Sequence, residues 1–181
     1  YFLHTGIGVQ GRPSMGAWVN YGLGSENDNL PGYVVLDGGL IPPGGLDNFK
    51  NGFLPASHQA SILKAQQNPI ANILPQEDDP AVQQSKLALM HEMDDSLLGK
   101  LGSANQIEAS IANYELAYSM QASVPELADL SGESELTRKM YGLGSPDKHT
   151  RSYGSQCLLA RRLVERGVRF IELTCPRVEA D

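Results

Sequence analysis

Cysteine is nearly absent. Two residues, Cys157 and Cys175, cannot staple a chain of 181 residues into a disulfide framework. Both are read as free thiols, Cys157 as a small buried hydrophobe on a helix face and Cys175 as a residue near the end of the chain. Basic residues are also short: 14 Lys and Arg against 21 Asp and Glu leave a net charge of −7 and a pI near 5.0. That balance excludes a nucleic-acid binder, which needs a basic surface. No apolar run is long enough to span a bilayer, and no charged-then-apolar leader precedes the first element. The chain does not begin with Met, and Tyr1-Phe2-Leu3-His4 reads as the middle of an element, so a processed product or an excerpt is expected. Internal repeats and blocks of like charge are missing too. What remains, 41% hydrophobic and 19% charged, fits a globular protein with a real core.

The most informative stretch is Tyr153–Thr174, YGSQCLLARRLVERGVRFIELT. Tyr153, Cys157, Ala160 and Val164 share one helical face, which Leu159 and Leu163 widen. Gly167 stands where a left-handed residue closes a helix, and the late arginines suit the helix dipole. Val168–Thr174 follows as a strand. A helix feeding a strand through one glycine is half of an α/β unit, and in such sheets chemistry gathers beyond the carboxyl ends of the strands.

Earlier in the chain, Ser14–Tyr21 is predicted helical with Met15, Trp18 and Val19 as its apolar side, ended by Gly22 or Gly24. Ser25–Gly32 is turn chemistry, and Tyr33–Leu36 is a short strand closed by Asp37-Gly38-Gly39. Residues 37–75 are rich in Gly, Pro and Asn, with Ala56–Gln66 the one stretch read as helical. Asp79 with Pro80 opens a helix whose apolar stripe is Val82, Leu89, Met90, Met93 and Leu97. Ser103–Gln106 matches a capping box before a helix carrying Ile107, Ile111, Tyr114 and Tyr118, with Pro125 beyond its end. Glu133–Tyr141 is a shorter helix stopped by Gly142.

Local motifs name no complete site. Gly6–Gly11 spells G-x-G-x-x-G, but Tyr1–Leu3 is a thin strand and Pro13 delays the helix, so a plain glycine loop is the reading and a nucleotide site the weak alternative. Ser14 lies too far from Gly11 for a nucleophile elbow and reads as a helix cap. His91 and Asp95 sit one turn apart like two metal ligands, yet two ligands do not make a site. His4, His58 and His149 are isolated in sequence, and Arg12 and Arg151 are single cations able to hold an anion.

Longer segments carry a resemblance. Phe2–Gly6, GRPSMGAWVNYGLGSENDNLPGYVVL (Gly11–Leu36), Gly52–Ala56, Tyr114–Gln121 and YGSQCLLARRLVERGVRF together resemble the bacterial domain-of-unknown-function 1501 family, grouped with sulfatases and alkaline phosphatases. The resemblance implies an α/β fold, helix-rich with few strands, forming part of an alkaline-phosphatase-like sandwich. Residues 1–181 would then be the central portion of one sulfatase-like domain, with 37–75 as a loop region inside it. It also implies metal-assisted hydrolysis of a small ester by the intact protein, a divalent metal held there, and export to the periplasm or cell envelope. A non-catalytic envelope binding or scaffold protein on the same fold is the alternative. Leu3-His4-Thr5-Gly6 resembles the segment that follows a sulfatase nucleophile, and Cys175–Asp181 departs from the family's continuation. Hence no residue is carried over as catalytic, cofactor-binding or metal-binding, and this chain alone is expected to hold no cofactor and to be inactive.

Overall fold

Four residues of β1 (Tyr33–Leu36) are buried on both sides, as a continuous apolar run in a parallel sheet should be. β1 is the central strand of three in the order β2-β1-β3, where β2 is Ser61–Leu63 and β3 is Phe170–Leu173. Both neighbours run parallel to it, with Val35 opposite Ile62 on one side and Glu172 on the other. This computed structural model describes residues 1–64, 79–101 and 105–176. The fold is α/β, with helices α1 (Phe2–Thr5), α2 (Met15–Leu23), α3 (Pro80–Leu101), α4 (Asn105–Ala128), α5 (Glu135–Met140) and α6 (Lys148–Glu165) around the sheet.

Alternation along the strands makes two cores. Val34, Leu36, Leu63, Ile171 and Leu173 face Met120, Val124 and Leu127 of α4 and Leu159 and Leu163 of α6. Tyr33, Val35, Ile62 and Phe170 face the other way, onto Phe49 and Ile41. Each aliphatic side chain fully removed from water contributes roughly 1.5–3 kcal/mol, so the first cluster carries most of the stability. The turn from α6 to β3 is a Schellman motif: Val168 N–H donates to Leu163 O at 3.0 Å and Gly167 N–H to Val164 O at 2.9 Å. Gly167 takes φ 85°, as the sequence pattern requires.

Several boundaries and faces differ from the sequence reading. On α6 the buried residues are Gly154, Gln156, Leu158, Leu159 and Leu163, whereas Tyr153 and Val164 are exposed and Cys157 is half-buried. On α2 the buried face is Gly16, Ala17 and Asn20, with Met15 and Trp18 outward, because Tyr33 presses its ring onto Gly16. Small residues let the helix approach the sheet, and bulk therefore points away.

The stripe Val82, Leu89, Met90, Met93 and Leu97 of α3 is exposed as well. What meets α4 is a polar row: Gln83 bonds Gln121, His91 Nε2 lies 3.3 Å from Glu115, and Asp94 accepts from Tyr114 Oη at 3.1 Å. Pro125 lies inside α4, in its last turn, and not beyond its end. The Ala56–Gln66 stretch is a 3₁₀ turn at Ala56–His58 followed by β2, not a helix; its β-branched Ile62 pairs with Val35. Residues 65 and 66, Ser103 and Ala104 of the capping box, and 177–181 lie outside the described residues. Tyr1–Leu3 leads into a helical turn and forms no strand, and α5 starts two residues later than Glu133, capped by Ser134.

Candidate functional site

Two arrangements of chemistry-bearing side chains stand out, one on a face of the sheet and one beyond its carboxyl edge. The first begins at Ser14, which caps α2 by accepting from Ala17 N–H at 3.3 Å and is 1% exposed. Its hydroxyl lowers the pKa of the Tyr33 phenol. Tyr33 Oη donates to Glu172 Oε2 at 3.3 Å, and Glu172 Oε1 faces His4 Nδ1 at 3.1 Å. Burial, then the Glu172 charge, push the Tyr33 hydroxyl well above its ordinary pKa, and the Ser14 contact only partly offsets them. Tyr33 therefore stays a neutral donor. His4 packs edge-on against Phe49 with ring centroids 5.4 Å apart.

This Tyr33–Glu172–His4 chain, with Ser14 acting on the phenol, joins residues that look unrelated in sequence. A carboxylate on Nδ1 fixes the imidazole's orientation and tautomer, as it does for bases and metal ligands. The link went unseen because Tyr33 and Glu172 read as strand residues, and only the parallel register aligns them. One cue was available: Glu172 is the lone charged residue between Phe170, Ile171 and Leu173.

The second arrangement lies where α/β sheets bind ligands, beyond the carboxyl ends of the strands. The strand exits interlock there. Gly38 N–H donates to Thr174 Oγ1 at 2.8 Å, Leu40 N–H to Cys175 O at 3.1 Å, and Gly39 bridges Pro176. Asp37 Oδ1 accepts from Gly39 N–H at 2.8 Å. Beside this edge opens a cavity of about 540 Å³ lined by Met140, Tyr141, Asp147, His149, Thr150, Tyr153, Gly154, Cys157, Cys175 and Pro176. α6 runs antiparallel to β3, and this brings its first turn to the strand's exit.

The cavity wall is mostly apolar with a few polar tips. Asp147 caps α6 through Thr150 N–H at 2.6 Å; that backbone bond, then the Thr150 hydroxyl, hold its carboxyl below the usual range. Burial pushes the Cys157 thiol up, so it is a poor nucleophile at neutral pH. Behind the wall Gln156, 1% exposed, donates Nε2–H to Leu36 O at 3.4 Å while its Oε1 has no partner among the described residues.

The structure separates the other residues singled out in sequence. His149 and both cysteines share the cavity, but Arg151 is spent on Ser145 O and Pro146 O. His91 pairs with Glu115 across the α3–α4 contact while Asp95 is exposed. His58 packs on Tyr21, and Arg12 lies over the Phe53 ring at 5.9 Å. Gly6 closes α1 with φ 78°, so the glycine motif follows a helix and not a strand. Among the described residues no group of three or more His, Cys, Asp or Glu could hold a metal ion. The donors present among the described residues do not fit a divalent metal.

A family model described as "Protein of unknown function (DUF1501)" matches residues 1–177. No curated protein and no solved structure matches the chain. The chain belongs to the DUF1501 family.

Proposed function

We propose, with membership of that family as the premise, that this chain forms the substrate-recess portion of a sulfatase- or phosphatase-like ester hydrolase acting in the periplasm or cell envelope. One observation carries the reading: all three parallel strands end at the same edge, and a cavity of about 540 Å³ opens beside it. Its wall suits the organic part of a small ester. Met140, Tyr141 and Tyr153 offer apolar and aromatic surface, and the Tyr and Thr150 hydroxyls and the His149 ring offer hydrogen bonds. Polarising the ester oxygen is work for metal ions in such enzymes, and groups other than those clustered among the described residues would have to hold them. The intact protein should therefore hydrolyse aryl sulfate or aryl phosphate esters with added divalent metal, and Tyr153→Ala should raise KM more than it lowers kcat. Failure of every ester and metal combination to turn over would sink the hydrolytic reading.

The second reading is a non-catalytic binding protein on the same fold. It is favoured by the lack of any three-residue metal-ligating group among the described residues. Calorimetry separates the two: the binder would take an aryl ester into the cavity with no product released.

A further inference from the structure

The exposed side of α2 carries aromatic rings where a solvated helix face would carry charges. Trp18, Tyr21 and Phe53 are 47%, 53% and 60% exposed. They are nevertheless ordered against one another. Trp18 meets Tyr21 edge-on at 6.2 Å and Phe53 at 5.7 Å, and Tyr21 meets His58 at 5.3 Å. Backbone contacts hold the segments together: Ser14 N–H donates to Lys50 O at 3.1 Å. Gly52, at φ 57°, lies so close to Arg12 and Pro13 that a Cβ would come within 2.5 Å of Arg12 C. That approach puts Phe53 under the Arg12 guanidinium.

The Arg12 guanidinium, the Trp18 indole N–H and the Tyr21 hydroxyl make no hydrogen bond or ion pair with any described residue. Rings with unpaired donors beside them fit a ligand that has apolar C–H faces and oxygen acceptors together, which is the surface of a sugar. Charge narrows the class further. The chain carries −7, which opposes a dense polyanion. Burial lowers the His58 pKa and keeps that ring neutral, so Arg12 is the cation of the patch at neutral pH. Its complement is one isolated carboxylate on an otherwise neutral chain.

We propose that Arg12, Trp18, Tyr21 and Phe53 form a carbohydrate-binding platform for a neutral glycan carrying sparse uronate groups. Sugar rings lie on the aromatics, and a carboxylate pairs with Arg12. The platform is independent of the cavity at the carboxyl edge, and its test does not depend on any hydrolytic activity.

Trp18 is the chain's one tryptophan, so its fluorescence reports on this face directly. The full chain is titrated with a linear xylo-oligosaccharide and with the same chain bearing one glucuronate branch. Saturable quenching or a blue shift with both, tighter with the glucuronate, is expected. Arg12→Gln should weaken the acidic sugar about tenfold, the scale of a lost charge-assisted bond, and leave the linear one nearly unchanged. Phe53→Ala should weaken both. The exposed side chain makes unfolding an improbable confounder, and the wild-type titration decides without any variant. Emission unchanged by both sugars at millimolar concentration overturns the proposal. So does binding insensitive to Arg12→Gln and Phe53→Ala, or a sedimenting dimer that Phe53→Ala dissolves and the sugars do not.

Discussion

Gly16 and Gly22 lie in the same helix, yet Ala at the two positions should act with opposite sign. A Cβ on Gly16 would stand 2.5 Å from Cε2 and Cζ of Tyr33, about 1 Å inside ordinary contact. Tyr33 is 0% exposed, is held at its hydroxyl by Glu172, and packs edge-on against Phe170 at 5.3 Å. It cannot swing aside without breaking those contacts, so α2 must lift off the sheet. Overpacking of this kind costs about 1–3 kcal/mol, and the helix-propensity gain from Gly to Ala, about 1 kcal/mol, offsets only part of it. A net loss of up to about 2 kcal/mol should lower Tm by up to about 8 °C at this chain length. Gly22 has nothing within 4 Å of its Cβ position, so Gly22→Ala should stabilise by up to about 1 kcal/mol and raise Tm slightly. Thermal melts followed by circular dichroism measure both. A Gly16→Ala variant as stable as Gly22→Ala would refute the close packing of α2 on Tyr33 and, with it, the buried path from Ser14 to His4.

Tyr33→Phe should destabilise by about 1 kcal/mol, since it leaves Glu172 Oε2 without its buried donor; chemical denaturation checks it. The raised Tyr33 pKa means that its contribution is fully present below the unfolded value near 10 and is lost as pH rises through the folded value, so one of the seven tyrosines should ionise only with alkaline unfolding. Asp147 has the opposite sign: its lowered pKa makes the cap of α6 stabilising above the unfolded carboxyl value near 4 and lost as pH falls through the folded one. Asp147→Asn should therefore flatten the acid limb of the stability curve. Gln156→Met, which removes a buried unpaired oxygen, should stabilise by about 1 kcal/mol; a clear loss in its melt would mean that Gln156 has a partner.

The sequence made some of this structure readable because a few residues have only one physical use. Gly167 before Val168 forces the turn from α6 into β3, Ser14 before Met15 caps α2, and the bulky aliphatics of Tyr33–Leu36 make a strand. Helix faces were the failure, for one reason. Reading bulk as burial puts Trp18, Tyr153 and the Met90–Met93 side of α3 inward, whereas Gly16 is pressed against Tyr33, Gly154 against the Tyr141 backbone, and Gln156 reaches Leu36 O beside the buried Leu159 and Leu163. Where α2 approaches the sheet and α6 the Tyr141 backbone, glycine is buried and the neighbouring large residues Trp18 and Tyr153 turn outward. The His4–Glu172 pair depends on a contact across more than a hundred residues, which no local pattern encodes, and the shared cavity of Cys157 and Cys175 depends on how the readable turn at Gly167 folds α6 back along β3.

Thiol chemistry tests the cavity most directly, because Cys157 and Cys175 both line it and are both free. Without ligand, Cys175 should react quickly with an aromatic disulfide reagent, and half-buried Cys157, whose pKa is raised by burial, on the order of tenfold more slowly. A saturating aryl sulfate or aryl phosphate should slow the modification of both. Rates that stay the same with and without the esters would contradict the assignment of the carboxyl-edge cavity as the ester recess.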